Sequence, residues 1–185
     1  MTVQKTIEEL KTLFNRVDEV FYSEKAIASI SELTTGIALP VGSDGVNFDA
    51  GDPDITKYKL TTGAIWTAIA DAGDADISLQ VPSINSTILD LFQNKVTSTE
   101  ETLVLDGVTY KGNGYDFAPK KVVGSLVMRS QDKTAVIVLT NVEIFATPKG
   151  DDTSKPMYFN LQITPENNSK GVAIYYMNKT ADAAA

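Results

Sequence analysis

The sequence predicts a mainly β protein: an antiparallel β-sandwich or barrel, with one short helix packed on the sheet and an N-terminal amphipathic helix flanking it. Three observations carry this reading. The second half of the chain is a series of apolar or alternating runs separated by short polar turns, at residues 97–110, 121–130, 134–146, 157–164 and 172–177. Residues 71–92, DAGDADISLQVPSINSTILDLF, pass from a polar turn through an alternating strand and a proline into a helical pattern. Residues 6–22 place Ile7, Leu10, Phe14, Val17 and Phe21 in steps of three and four, with Leu13 and Val20 beside them.

Taken in order, the N-terminal stretch 6–22 reads as a helix. Thr6 and Glu9 have the form of a capping box, and Glu8 and Glu9 complement the positive end of the helix dipole. Such a helix packs on its own domain or docks on a neighbouring subunit. Residues 26–37 alternate weakly and read as a strand ending near Gly36. Residues 39–54 read as a long irregular loop with a turn at Ser43-Asp44-Gly45. Val46 and Phe48 inside that loop must bury against their own domain or another chain. Residues 58–69 read as one strand crossing Gly63, where a bulge or close backbone contact is expected, with Trp66 as a core or interface anchor.

Ile77, Leu79 and Val81 lie on one face of the next strand, which Pro82 ends. Ile84, Ile88, Leu91 and Phe92 then follow at helical spacing over residues 83–94, with Ser83 or Ser86 available as a cap. A helix this short is marginal alone, so its apolar face must lie on the sheet. Asp106-Gly107 between Leu103, Leu105 and Val108, Tyr110 is a hairpin signal, and residues 111–114 read as a flexible link. Residues 148–155 read as a polar loop, 167–171 as a turn and 181–185 as a frayed tail. No linker stands out, so residues 1–185 read as a single domain.

Composition limits the chemistry. At 185 residues, with 43% apolar and 22% charged, the chain is ordinary globular material, long enough to bury a proper core. A net charge of −8 argues against a general binder of nucleic acid or anionic membrane. No run reaches the ~18 apolar residues of a membrane helix, and MTVQKTIEEL lacks the order of a signal peptide, so a cytoplasmic site of synthesis is expected. There is no Cys and no His, which removes disulfides, thiol nucleophiles, histidine-based triads and ordinary zinc or iron sites.

What remains is weak. DAGDPDI at 49–55 and DAGDADI at 71–77 are near copies that could offer oxygen ligands to Ca²⁺, but neither has the full ligand order of a calcium loop, and Asp with Gly favours turns. Glu100-Glu101 and Asp151-Asp152 are adjacent carboxylates that point apart on a strand. Ser130 and Lys133, with Ser125 nearby, fall in a hairpin rather than on the helix a Ser–Lys site uses. The reading is therefore a non-enzyme with no catalytic residue, no metal site and no cofactor. A carboxylate hydrolase would need two acids converging in a cleft. Tyr175-Tyr176 places one ring on each face of its strand, a small argument for a partner.

The stretch DADISLQVPS running into INSTILDLF looks like the strand-to-helix core of phage major tail (tail tube) proteins. The later strands VVGSLVMRS, TAVIVLTNVEIFA, MYFNLQIT and VAIYYMNK resemble the closing strands of that family. The resemblance covers about half the chain, residues 64–179 with gaps, and the stretch 6–22 departs from it. It implies a virion structural subunit assembled in the bacterial host cytoplasm. Its partners would be copies of itself, in rings that are commonly hexameric and stack into a tube, and other tail proteins. DNA would be only passing cargo through an acidic lumen, and no membrane is involved. On that reading the subunit interface draws on Val46, Phe48, Leu103, Leu105, Tyr175 and Tyr176. The alternative reading is a non-catalytic β-sandwich adhesin or carbohydrate-binding module.

Overall fold

Strands β1 (Val17–Ser23), β2 (Ile37–Leu39), β3 (Val46–Asp49), β4 (Asp54–Lys59), β5 (Ile65–Asp71) and β6 (Asp76–Val81) precede the helix α1 (Ser86–Phe92). After it come β7 (Glu101–Leu105), β8 (Val108–Gly112), β9 (Lys121–Ser130), β10 (Ala135–Lys149), β11 (Tyr158–Glu166) and β12 (Ile174–Asn178). This computed structural model describes residues 14, 16–42, 45–150 and 156–180. Residues 6–13 and 15 of the expected helix, Ser43 and Asp44 of the expected turn, residues 151–155 of the expected polar loop with the pair Asp151-Asp152, and the tail 181–185 lie outside the described residues.

Eight strands form one antiparallel sheet in the order β2-β1-β9-β10-β11-β6-β3, with β12 also on β10. The end strands β2 and β3 are joined by residues 40–45 alone, a length of chain that reaches about 20 Å. The sheet therefore curls until its two edges lie close, and Gly42 N–H donates to the Gln80 carbonyl at 2.8 Å to tie the connection to β6. The predicted β-rich, barrel-like class with a packed helix is what the chain adopts.

One face of each strand fills the interior. Val20, Tyr22, Leu39, Ile77, Leu79, Val81, Leu126, Met128, Leu139, Val142, Ile144, Leu161 and Ile163 belong to a single buried cluster. Ile77, Leu79 and Val81 point inward together, as their alternation predicts. Helix α1 adds Ile88 and Phe92 to this cluster, and the Phe92 ring lies 5.9 Å from that of Phe159, tilted by 43°. Its cap is Asn85, whose side-chain oxygen accepts from Thr87 N–H at 2.9 Å, in place of the expected Ser83 or Ser86. Ile84 lies before the cap and stays 63% exposed, outside the packed face. At the other end Lys120 Nζ donates to the Asp90 and Gln93 carbonyls, the place where a cation suits a helix.

Four predicted elements are corrected. Val17–Ser23 is a strand, not the end of a helix: Val20 and Tyr22 face the core while Phe21 faces away, and β1 pairs with β9. Val17, Val20 and Phe21 suit the helical period and Val20 with Tyr22 suits the strand period, and the β9 edge selects the extended one. Residues 26–37 form no strand over that span; Ile30–Glu32 is a single 3-10 turn, and Ile27 is buried with its N–H bonded to the Thr140 carbonyl. The loop 39–54 contains β3, paired with β6. Residues 58–69 fold as a hairpin, with Gly63 at φ +84 in the turn, a conformation open to glycine at no steric cost.

Two smaller adjustments concern ends. Strand β10 runs on through Pro148 to Lys149, past Phe145 where pairing with β9 stops, so a missing N–H costs little on that open edge. Lys111 and Gly112 belong to β8 rather than to a link.

The β9–β10 turn is closed by Asp132. Its carboxylate accepts from Ser130 Oγ at 2.6 Å and from Thr134 N–H and Oγ1 at 3.2 and 2.8 Å. These bonds, that from Ser130 first, hold its pKa below the ordinary 3.8. A depressed carboxylate stabilises the fold above its unfolded pKa, and that contribution disappears as pH falls through the folded value. Asp132→Asn should therefore lower the melting temperature at pH 7, and the gap from wild type should close in melts taken progressively below pH 3.8.

Candidate assembly surface

The sequence-nominated residues fall into three places. Val46 and Phe48 are half-buried on β3 and pack against the chain's own core. Tyr175 and Tyr176 lie on β12, paired with Val138 and Ile137, and Tyr176 is 66% exposed. Leu103 and Leu105 lie on the β7–β8 hairpin, every residue of which is exposed.

That hairpin is built by its turn. Asp106 and Gly107 have φ of 49 and 79, the left-handed pair that lets two strands reverse without splaying. Directly opposed residues share a face, so Leu103–Tyr110 and Leu105–Val108 put four apolar side chains together, with Glu101 at the foot of the same face. Each of the four remains more than half exposed. Val104 with Thr109 and Thr102 with Lys111 form the opposite face.

A second projection was not legible as such in the sequence. Strands β4 and β5 pair only with each other, and all their residues are exposed. They include Ile55, Tyr58, Ile65, Trp66 and Ile69, with Leu60 at the turn, and Trp66 is 72% exposed rather than an anchor in the core. Pairing on this arm has the register of β3 with β6: Asp49 opposes Asp76, and Asp54 opposes Asp71. The arm is thus one long hairpin leaving the barrel, interrupted at 50–53 and 72–75.

The interruption explains the repeated motif. DAGDPD at 49–54 and DAGDAD at 71–76 run antiparallel across this waist, so the copies face each other in an approximately two-fold way, with Gly51 but not Gly73 at positive φ. A Cβ on Gly51 would overlap the Asp74 carbonyl, and one on Gly73 would overlap the Asp52 carbonyl. The glycines let two backbones cross in contact. The aspartates oppose like charges directly across the strands, which weakens the joint. Among the described residues no group of acids is arranged to hold a metal ion. The signal that could have revealed the arm is this bracketing: the two copies enclose the turn at Gly63 almost symmetrically.

The chain matches no known protein-family model, and no curated protein matches it in sequence. The reading of the site therefore rests on its geometry. Ser130 Oγ, the candidate Ser–Lys hydroxyl, donates to Asp132 and accepts from Ala135 N–H at 3.0 Å, a turn-closing role. A cleft of about 490 Å³ lies between α1 and the β1 and β9 strands and is lined in part by Tyr22, Glu24, Asp90, Lys120 and Lys121. Tyr22 donates its hydroxyl to the Val123 carbonyl at 2.9 Å, and burial, with Glu24 nearby, pushes its pKa up to about 12. That hydroxyl stays protonated near neutrality. Among the described residues no helix is long and apolar enough to cross a membrane.

Proposed function

We propose that this protein is a structural, self-assembling subunit of a phage tail tube or related injection apparatus, forming stacked rings around a DNA-conducting lumen. The observation that carries this reading is the pair of projecting hairpins, whose apolar side chains are left uncovered by the described residues of the chain. Soluble monomers rarely expose apolar residues so densely on thin projections, and a two-stranded ribbon gains little stability by itself. Neighbouring copies in a ring or stack supply the missing cover. The net charge of −8 suits a wall past which DNA slides without adhering. The resemblance of residues 64–179 to tail tube strands points the same way.

Negative-stain microscopy and sedimentation across a concentration series test the proposal: rings or tubes are expected, and a monomer at every concentration would refute it. A Leu103→Asp/Tyr110→Asp variant should abolish assembly. Its melting temperature should remain within about 4 °C of the wild-type monomer, because two exposed positions at about 0.5 kcal/mol or less each contribute about 1 kcal/mol at most.

A second reading, a carbohydrate-binding or adhesin module, is favoured by one observation, the exposed rings of Tyr58 and Trp66 on one hairpin. Retention on polysaccharide that Trp66→Ala eliminates, without any self-association, would support it instead.

A further inference from the structure

Resting on the assembly reading, we infer that the β4–β5 arm of one copy docks on the β7–β8 hairpin of the next, in a head-to-tail contact. The occupant of each apolar face is thus a second copy of this chain, presenting the other projection.

The first argument is charge. The chain as a whole is acidic, yet residues 55–70 contain Lys57 and Lys59 and no carboxylate. Residues 100–112 contain Glu100, Glu101 and Asp106 against Lys111 alone. The arm tip is therefore a basic island on an acidic molecule, and the β7–β8 hairpin is an acidic projection. Asp54 and Asp71 at its base make the arm as a whole neutral, but two arm tips repel each other, as do two β7–β8 hairpins, whereas a tip and a β7–β8 hairpin attract. Such a pattern steers partner choice and register more than it adds affinity.

Shape is the second argument. Lys57 shares a face with Ile55, Ala68 and Ala70, because Lys57 opposes Ala68 and Ile55 opposes Ala70. Lys59 lies past a register shift, where it opposes Ile65. The low part of the face is Ala68 and Ala70 on β5, beside Lys57 and Ile55 on β4. The facing surface is high: Leu103, Leu105, Val108 and Tyr110 stand together, with Glu101 at one end and Asp106 at the turn. Bulky side chains settle over the alanines while lysines reach the rim acids, giving an apolar centre with charges at its edge.

The contact uses two different surfaces, so in a pair one copy keeps its β7–β8 hairpin free and the other its arm. Heterologous contacts of this kind close into rings or continue as filaments, whereas an isologous contact would stop at a dimer.

The absence of Cys makes the test direct. Ala68→Cys and Val108→Cys are made in separate chains, and both retain the wild-type charges. The two are mixed under assembling conditions and oxidised. A disulfide-linked pair is expected in the mixture and in neither chain alone. Disulfides in the single-variant samples would show like-with-like contacts and overturn the inference. Assembled particles without any disulfide would also overturn it while leaving the assembly reading intact. A wild-type protein that stays monomeric throughout would overturn both.

A charge swap gives an independent readout. Lys57→Glu/Lys59→Glu should raise the concentration needed for assembly roughly tenfold or more, and adding Glu100→Lys/Glu101→Lys to the same chain should restore it. Failure of the second pair to rescue the first, with both variants melting like wild type, counts against the docking.

Discussion

Phe92→Ala should destabilise the protein by about 3–5 kcal/mol and lower its melting temperature by roughly 10 °C or more. Phe92 is 1% exposed at the last turn of α1, against Phe159 of the barrel wall. A helix of seven residues has little stability of its own, so it is held by what it buries. Ile88 and Phe92 are its two fully buried residues, and Phe92 is the larger. Truncation removes a ring from water-free surroundings and leaves a cavity between helix and sheet that the paired strands cannot collapse to fill. Ile84→Ala is the internal control: at 63% exposure it should cost about 0.5 kcal/mol or less. Chemical unfolding of both variants below the assembly concentration compares them. If Phe92→Ala is as mild as Ile84→Ala, the helix does not complete the barrel core.

The same helix shows what a sequence discloses well. Its position follows from local chemistry: an alternating strand, a proline, then apolar residues at helical spacing. The β7–β8 hairpin is equally local, since Asp106-Gly107 specifies the turn and the turn fixes the register. Strand β9 is read to the residue because its turn, Gln131 to Lys133, is short and polar. Where pairing joins distant segments, the pattern is silent. Val17–Ser23 carries a pattern compatible with either period, and what decides it is β9, more than a hundred residues later. Val46 and Phe48 occupy Gly- and Asp-rich sequence that looks like loop, yet β6 supplies a partner with unbonded backbone groups, and pairing there satisfies both strands.

The candidate surface was legible in part for the same reason. Leu103, Leu105, Val108 and Tyr110 could be read from alternation about Asp106-Gly107, but that they stay exposed is a matter of tertiary packing. The arm was hidden by Gly63, which looks like a flaw within one strand and is the turn between two. Trp66 was expected as a core or interface anchor, because large aromatic residues usually bury. At 72% exposure it lies outside the core, and a second copy covering it is part of the assembly proposed above. The repeated DAGD motif was visible, but its meaning depends on the copies facing each other, which only the pairing of Asp49 with Asp76 and Asp54 with Asp71 reveals.

Valine at either waist glycine should abolish assembly while leaving the barrel's melting temperature within about 2 °C of wild type. Gly51 has φ +77, a conformation that costs an L-residue about 1–2 kcal/mol. Its new side chain would also overlap the Asp74 carbonyl, and that of Gly73→Val would overlap the Asp52 carbonyl. Both obstacles are backbone, which cannot swing aside as a side chain does, so the crossing must open. The core strands end their pairing at Asp49 and Asp76, outside the crossing, and no buried core residue lies on the arm. The damage therefore stays local: β4 and β5 lose their orientation to the barrel without disturbing Ile77, Leu79 or Val81. The approximate local two-fold adds a further expectation. Because each substitution opens the same crossing, Gly51→Val/Gly73→Val should be little worse than either alone, a strong departure from additivity. Calorimetry below the assembly concentration and sedimentation above it separate the outcomes. Normal assembly of the double variant would mean that the arm takes no part in it, and a melting temperature lowered by more than about 6 °C would mean that the waist belongs to the core.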